Sequence, residues 1–394
     1  MKYDYNTLAE YRGVGNHDEY RIPPQLQGEL IPNFQGAKMM FPICPEISKA
    51  MSERANIRFG YTFADPVYYQ IVIDWMKRRR NWIVCEDTIV VYSGILDAFY
   101  TAIQIYTDHQ DGVIVFSPNY HMHTDLILRC GRAPVHVPLL LENNQYSIDF
   151  EKLASAMQNP RNKMMCLCNP DNPTGRVWTK EELIRIAKLA CKYDVLIFSD
   201  EIFAEISMSN VPVTPMTAEH CGAERTIVAT SLSKVFNLVG TRHANLIIED
   251  KKIRDAFVNM RDKMTISEMD PFMYPALQAA YTQGGEWLDE TKCYIKENME
   301  FAQKYFDTEL PGVHMHKTRG IYLAWIDWRG LGKTEEELNK FLLDEAKISL
   351  DMGSPYGAEC FTRFCMATPR NVLTEAFARL DHAAAVHGMK KNNR

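Results

Sequence analysis

Three absences narrow the classes of protein to which this 394-residue chain can belong. No stretch approaches the roughly 18 consecutive apolar residues that a membrane-spanning helix needs. The first residues also lack the apolar core of a signal peptide. Basic residues are not in excess, since 44 Lys and Arg stand against 50 Asp and Glu and the net charge is −6. A surface that binds nucleic acid is normally dominated by basic side chains, so we expect neither membrane nor nucleic-acid binding.

The ten cysteines show no repeated spacing. Because no export signal precedes them, we expect reduced thiols in a cytoplasmic protein. Hydrophobic residues make up 46% of the chain and charged residues 24%, which is typical of globular proteins with an ample core. The one basic run, Lys77–Arg80, is predicted to end a helix, where cations offset the negative end of the helix dipole.

From about residue 85, apolar runs alternate with amphipathic stretches, a rhythm typical of βαβ units. A helix is predicted from about Leu96 to Tyr106, and Thr179 with Glu182 forms a capping box at the start of another. This spacing favours parallel strands with right-handed crossovers. The predicted strands are Thr88–Tyr92, Val113–Phe116, Met164–Cys168, Val195–Phe198, Thr226–Thr230 and Ala244–Ile248.

After about residue 285 the pattern changes to a long helical stretch followed by short strands and a last helix. The sequence therefore predicts an α/β protein with two domains. Residues 50–285 would form a large, doubly wound domain with a mostly parallel sheet. Residues 1–49, an irregular arm, would join residues 286–394 in a smaller α+β domain.

Four polar clusters follow predicted strands: Ser93-Gly94, Asn172 with Pro173–Gly175, Asp200, and Ser231–Lys234 with Arg242. Each is common in proteins when taken alone. Ligands of open α/β sheets bind at the carboxyl ends of the strands. The clusters therefore indicate one binding site at that edge of the sheet.

In this order and spacing, the clusters resemble those of the fold-type-I pyridoxal-phosphate enzymes, the class I/II aminotransferase superfamily. The resemblance covers nearly the whole chain and is strongest for the cystathionine β-lyase (cysteine-S-conjugate β-lyase) branch of the MalY/PatB type. It implies pyridoxal 5'-phosphate as cofactor and the fold-type-I architecture. The segments that carry it are Phe59–Tyr61, Asn169–Trp178, Ser199–Ile202, Ser233–Asn237 and Gly320–Asp327.

The resemblance also implies roles for three residues that face the cofactor ring. Lys234 would bind the cofactor aldehyde covalently and then move the Cα proton of the substrate. Asp200 would keep the pyridine nitrogen protonated by Coulomb attraction. Asn172 would donate to the phenolic oxygen and contact the substrate carboxylate.

The cofactor phosphate needs hydrogen-bond donors and positive charge, which a helix start and nearby side chains can supply. The residues that the resemblance assigns to it are Gly94, Ile95, Leu96, Ser231, Ser233 and Arg242.

Three further residues match family positions around the substrate and the ring. Tyr120 would stack on the cofactor ring, and Arg363 would bind the substrate α-carboxylate as a fork. Tyr61 would reach the phosphate from a neighbouring subunit, which implies a homodimer with shared active sites. Lys234 and Tyr61 are the expected catalytic residues.

Two segments depart from the lyase branch. The residues Lys38–Phe41 replace an acidic pattern, and Phe203 stands where a hydrogen-bonding His or Tyr is usual. Arg242 is more typical of aminotransferases. We therefore expect a carbon–sulfur β-lyase that acts on cystathionine or cysteine-type amino acids, with an aminotransferase using a 2-oxo acid as the alternative. A third interpretation is a regulator that binds a partner protein.

Two histidine pairs, His121 with His123 and His314 with His316, raise the question of a metal site. No carboxylate or cysteine completes a ligand set at the spacing that zinc requires. We therefore expect no bound metal, and histidines that are either hydrogen-bonded in the core or exposed.

Overall fold

The structure, a computed structural model, describes residues 1–9, 15, 33–217 and 222–389. Its helices are α1 (Pro45–Ala55), α2 (Pro66–Arg80), α3 (Ile95–Tyr106), α4 (His121–Arg129), α5 (Phe150–Gln158), α6 (Lys180–Tyr193), α7 (Lys251–Lys263), α8 (Met273–Gln283), α9 (Gly285–Thr308), α10 (Glu335–Lys340) and α11 (Arg370–Val386). Within this part of the chain, none of the helices has the length and apolarity needed to cross a membrane.

The large sheet has seven strands in the order β1-β9-β8-β7-β6-β2-β3. Its strands are β1 (Ile89–Tyr92), β2 (Gly112–Ser117), β3 (Ala133–Pro138), β6 (Asn162–Cys168), β7 (Leu196–Asp200), β8 (Thr226–Thr230) and β9 (Ala244–Ile247), while β4 (Leu140–Glu142) and β5 (Gln145–Ser147) form a separate hairpin. The pairs from β3 through β8 are parallel. The predicted doubly wound, mostly parallel sheet is confirmed.

The expectation that all these strands run parallel is wrong for β9, which is antiparallel to both β8 and β1. Only turns connect Thr230 to Ala244, and no crossover helix lies between them. Without a crossover to return the chain to the same edge, the next strand must run in the opposite direction.

Local sequence signals fix the helix ends as predicted. Helix α6 begins with the capping box of Thr179 and Glu182, and α2 ends with the basic run at Arg80. This run does more than offset a dipole. Arg80 is buried and forms an ion pair with Glu201, while Arg79 pairs with Asp289. The run therefore also ties α2 to the large sheet and to α9.

The second sheet is antiparallel, in the order β10-β11-β13-β12. Its strands are β10 (His314–Met315), β11 (Leu323–Asp327), β12 (Asp351–Met352) and β13 (Phe361–Cys365). The N-terminal arm joins this region: the Phe34 amide donates to the Ser349 carbonyl at 3.2 Å, and the Met40 amide to Ala367 at 2.8 Å. The arm is not irregular to residue 50, because α1 begins at Pro45.

The predicted domain boundaries fall within or next to helices. Helix α1 spans the boundary between residues 49 and 50, and α9 begins at Gly285, where the second boundary was placed. The division into residues 50–285 and residues 1–49 with 286–394 stays a prediction.

Candidate active site

A cavity of about 730 Å³ lies at the carboxyl ends of the large-sheet strands. Its lining includes every predicted site residue except Tyr61. One side, which we call the sheet wall, consists of Asn172, Asp200 and Lys234, which end or follow β6, β7 and β8. The opposite side, the arm wall, consists of residues 36–38 together with Asp351 and Arg363 of the second sheet. The cavity is therefore built between the two sheets.

Lys234 lies in the turns that follow β8, and its Nζ donates to the Ala37 carbonyl at 3.0 Å. Burial, with help from the nearby cations Arg363 and Lys38, lowers the pKa of Lys234 to about 8. A primary amine with this pKa is neutral in roughly a tenth of the molecules at pH 7, far more than an amine with the ordinary lysine pKa. Only the neutral amine can attack a carbonyl or accept a proton.

Asp200 is the last residue of β7 and is buried. Its Oδ1 accepts a hydrogen bond from the Ile202 amide at 3.1 Å, and its Oδ2 lies 3.2 Å from His123 Nε2. Burial disfavours the charged form of His123, but Cys166 and the Asp200 carboxylate outweigh burial and raise the pKa of His123. The carboxylate is thus held in one orientation at the bottom of the cavity.

Asn172 and Arg363 join the two walls. The Arg363 Nη1 donates to Asn172 Oδ1 at 3.0 Å, while its Nε and Nη2 donate to Asp351 Oδ2 at 3.2 and 2.6 Å. The guanidinium also lies 4.7 Å from the centre of the Tyr356 ring. Burial alone would lower the pKa of Arg363, but Asp351 outweighs it and raises the pKa. Arg363 is therefore a fixed, buried cation that borders the cavity.

The predicted phosphate-binding residues surround the start of α3. Gly94 precedes this helix, so the first amide groups of Ile95 and Leu96 have no partner within it. Ser231 Oγ donates to the His243 carbonyl at 2.8 Å and accepts from the Ser233 amide at 3.2 Å.

Arg242 also lines the cavity, but its side chain is 73% exposed. Its Nη2 donates to both carboxylate oxygens of Asp97, at 2.7 and 2.9 Å. Ser93 Oγ donates to the same carboxylate at 2.7 Å. Arg242 is therefore held at this end of the cavity by a carboxylate that sequence reasoning did not single out.

The two predicted aromatic residues differ in position. Tyr120 directly precedes α4, lines the cavity and packs edge-on against His123, with ring centroids 5.3 Å apart. Tyr61 is 85% exposed and lies outside the cavity of its own chain. Its predicted role in a neighbouring subunit stays a prediction.

Sequence reasoning did not assign His123, Asp351 or Tyr322 to the site. The histidine pairs were expected to be either hydrogen-bonded in the core or exposed, and His123 is buried with Asp200 as its partner. Asp351 comes from a two-residue strand and gives no signal of its own. Tyr322 donates to the Ala37 carbonyl at 3.2 Å, the same carbonyl that Lys234 contacts. Tyr322 belongs to the segment Gly320–Asp327 that carries the family resemblance, but its contact with Ala37 depends on where the N-terminal arm lies in the folded protein.

The residues that depart from the lyase pattern also lie at the cavity. Lys38 lines the arm wall, and burial lowers the pKa of its amine. Phe203 is 2% exposed and packs edge-on against Tyr322, with ring centroids 5.5 Å apart. A hydrocarbon ring therefore occupies a place where a polar side chain would offer a hydrogen bond.

The family model of class I and II aminotransferases matches residues 35–380 of this chain. The chain therefore belongs to this family, whose members depend on pyridoxal phosphate, and the predicted family and fold are confirmed.

Two relatives and one solved structure show which members of the family this chain resembles. The chain is 32% identical to cystathionine β-lyase PatB of Bacillus subtilis over 88% of this chain and 91% of PatB. It is 28% identical to Protein MalY of Escherichia coli over 90% of this chain and 92% of MalY. The structure of cystalysin from Treponema denticola, which contains pyridoxal 5'-phosphate, superposes with a TM-score of 0.93 at 30% identity, covering 98% of this chain and all of cystalysin.

The donor set of the cavity fits pyridoxal phosphate. A buried amine of lowered pKa suits the aldehyde, a fixed carboxylate suits the pyridine nitrogen, and a side-chain amide suits the phenolic oxygen. A helix start with two serine hydroxyls suits the phosphate. The residues that would hold the cofactor in this way are Lys234, Asp200, Asn172, Gly94, Ile95, Leu96, Ser231 and Ser233, with Arg242 at the rim.

Proposed function

We propose that this protein is a pyridoxal-phosphate-dependent carbon–sulfur β-lyase that acts on cystathionine and related cysteine-type amino acids. The observation that carries the proposal is the likeness to PatB and MalY over about nine-tenths of the chain. The cavity supports it, because an amine, a carboxylate and a guanidinium converge there.

When bound, pyridoxal phosphate supplies an electron sink that stabilises negative charge on the substrate Cα. Arg363 binds the substrate carboxylate as a fork and so fixes which Cα bond faces Lys234. Because Asp351 and Asn172 already hold the guanidinium, this orientation needs little rearrangement. Asp200, supported by His123, keeps the opposite end of the site anionic and so favours a protonated pyridine.

Lys234 moves the proton in this proposal. Its neutral Nζ takes the proton from Cα, and the bond between Cβ and sulfur breaks as the thiolate leaves. The proton held on Lys234 can then be passed to the departing sulfur. The final products are a thiol, pyruvate and ammonia, with one water consumed. The lowered pKa of Lys234, about 8, suits an amine that must both take and return a proton near neutral pH.

We also propose a homodimer in which Tyr61 of each subunit completes the other subunit's phosphate site. The support is the exposure of Tyr61 and its neighbours, since half or more of the surface of Ile57, Phe59 and Phe63 is exposed. An exposed apolar segment of this kind is typical of protein interfaces. We place the enzyme in the cytoplasm, since the nine cysteines that the structure describes are free thiols.

The decisive experiment incubates the holoenzyme with cystathionine, with and without 2-oxoglutarate, and follows pyruvate, thiol and glutamate. We expect pyruvate and thiol without any 2-oxo acid, because elimination needs no second substrate. The control is Lys234→Ala, which should release neither product. Turnover that strictly requires 2-oxoglutarate and forms glutamate would instead identify an aminotransferase.

A further inference from the structure

A second cavity, of about 830 Å³, shares no lining residue with the candidate active site. It lies between the β4–β5 hairpin, helix α9 and residues 315–319, a segment that begins with the last residue of β10. The hairpin is fastened to that segment, because Asn144 Nδ2 donates to the Met315 carbonyl at 3.2 Å. Gln303 of α9 donates to the same carbonyl at 3.3 Å. Hydrogen bonds between all three elements thus shape this cavity.

The lining carries an excess of positive charge, although the whole chain has a net charge of −6. Arg176 is paired with Glu182. Lys296, Lys317 and Arg319 form no ion pair with any other residue that the structure describes. Against these three cations the described lining has two carboxylates, those of Glu142 and Glu300, which leaves one positive charge in excess.

The histidine in this cavity does not add to the charge. His316 is buried with its ring near Tyr146 and Phe361, and burial lowers its pKa to about 4. Its Nδ1 lies 3.3 Å from the Asn144 carbonyl, so the neutral ring carries its proton there. The remaining polar lining is amide and hydroxyl groups such as those of Gln145 and Ser209, which can donate to an anion.

We propose that this cavity binds a small organic anion with two or more negative charges, a polycarboxylate or a phosphate ester, and that its occupancy changes substrate affinity. Two separate elements present the cations, α9 through Lys296 and the segment 315–319 through Lys317 and Arg319. A ligand with one charge cannot neutralise both, whereas a multivalent anion can bridge them. The effect on substrate affinity rests on the proposed lyase function, but the binding does not.

A few hydrogen bonds connect this second cavity with the candidate active site. Thr318 Oγ1 donates to the Gly175 carbonyl at 2.7 Å, and the Gly320 amide donates to it at 3.1 Å. A Cβ at Gly175 would lie 1.7 Å from Thr318 Oγ1, so only glycine permits this close approach. Gly175 belongs to the turn that carries Asn172, and Asn172 contacts Arg363. An anion that repositions residues 317–319 therefore acts on a contact of the predicted carboxylate-binding arginine.

Isothermal titration calorimetry of the holoenzyme tests the binding, with citrate and 3-phosphoglycerate as the two probes and acetate at equal ionic strength as the monovalent control. We expect saturable binding of at least one probe and none of acetate, and the preferred probe tells a polycarboxylate from a phosphate ester. The double variant K317A/R319A, at two exposed positions, should weaken binding about tenfold or more. The matched variant R129A/K188A removes two exposed cations outside the cavity and should leave the affinity unchanged.

Kinetics test the coupling. A probe at a concentration that nearly saturates the wild type should change KM for cystathionine at least twofold in the wild type and in R129A/K188A, and should change it clearly less in K317A/R319A at the same concentration. By linkage, substrate and anion must alter each other's affinity by the same factor. Equal weakening in both double variants, or no saturable binding, would overturn the site. Binding without a change in KM would overturn its effector role. If the protein had no lyase activity, calorimetry would still decide whether the cavity binds anions.

Discussion

The two walls of the active-site cavity are built in different ways. In the sheet wall, Asn172, Asp200 and Lys234 each end or closely follow one of three neighbouring parallel strands, and the strand register pairs Cys168 with Asp200 and Asp200 with Ala229. The arm wall combines residues 36–38 with Asp351 and Arg363, which lie more than 300 positions further along the chain. The sheet wall is thus positioned by neighbouring strands of one sheet, whereas the arm wall brings together paired strands of the second sheet and an arm from the other end of the chain.

The two walls also carry groups with different proposed roles. The sheet wall carries the groups proposed to act on the cofactor, and the arm wall carries those proposed to select the substrate. Changes in the sheet wall should therefore reduce kcat for every substrate. Changes in the arm wall should act mainly on KM and on the choice of substrate.

The largest effect is expected for Lys234→Ala in the sheet wall. The variant should lose several orders of magnitude in kcat, since proton transfer by a positioned base alone contributes ~10²–10⁴-fold. The assay is product formation together with the visible absorbance of the bound cofactor. Lys188→Ala, at an exposed lysine of α6, is the control and should behave as wild type. A Lys234→Ala enzyme with ordinary turnover would remove Lys234 from the mechanism.

Asp200→Asn should have the next largest effect. Loss of the buried carboxylate should lower kcat by about 10²–10³, the range seen when one preorganised electrostatic contact is removed. His123→Gln tests the support of Asp200, and its smaller loss should come with an altered pH profile of kcat. If His123→Gln were more damaging than Asp200→Asn, the order of the two roles would have to be reversed.

Arg363→Ala sharpens the comparison between the walls. It should raise KM for amino-acid substrates by about 10- to 100-fold, the value of a buried, charge-assisted pair, while cofactor retention stays near that of wild type. Arg242→Ala, at the predicted phosphate end, should do the opposite and weaken cofactor retention with little effect on KM. Because Arg363→Ala removes the ion pair with Asp351, Arg363→Lys and a thermal melting curve check that the fold is kept. If Arg363→Lys kept the fold but lost the cofactor and not substrate affinity, the arm wall would not be the substrate wall.

The smallest effect concerns pH. With a pKa of about 8 for Lys234, the rate of cofactor attachment to cofactor-free protein should rise about tenfold per pH unit below pH 8 and level off above it, as the amine becomes neutral. Stopped-flow absorbance measures this rate. Burial is the main cause of the lowered pKa, and Lys38 of the arm wall adds to it. Lys38→Met should therefore move the midpoint upward by less than about one pH unit. A downward shift would contradict the proximity of the two amines.

Much of the sheet wall could be predicted from the sequence, because local signals mark where each strand ends. The predicted strand Thr226–Thr230 matches β8 residue for residue, and the turns after it carry Lys234. The antiparallel direction of β9 could not be predicted from the alternation of apolar and amphipathic stretches alone, since its buried run is like those of the parallel strands in the same sheet. Only the lack of a helix between Thr230 and Ala244 distinguishes it.

The arm wall was predicted only where the family resemblance supplied a residue, as it did for Arg363. Its partner Asp351 lies in a short strand whose register against Arg363 is set by the second sheet. The contact of Ala37 with both Lys234 and Tyr322 depends on where the arm crosses the cavity. These two contacts of Ala37 join positions about 200 or more residues apart, and no local pattern encodes them.

The side chain of Asn237 has a consequence for enzyme engineering. It accepts from the Met39 amide at 2.9 Å and donates to the Met39 carbonyl at 3.0 Å, so the arm is held by the same turns that present Lys234. A chimera assembled from two relatives should therefore take residues 36–41 and residues 231–237 from the same parent. A crossover point between these segments would separate halves of one hydrogen-bonded unit that lie far apart in the gene.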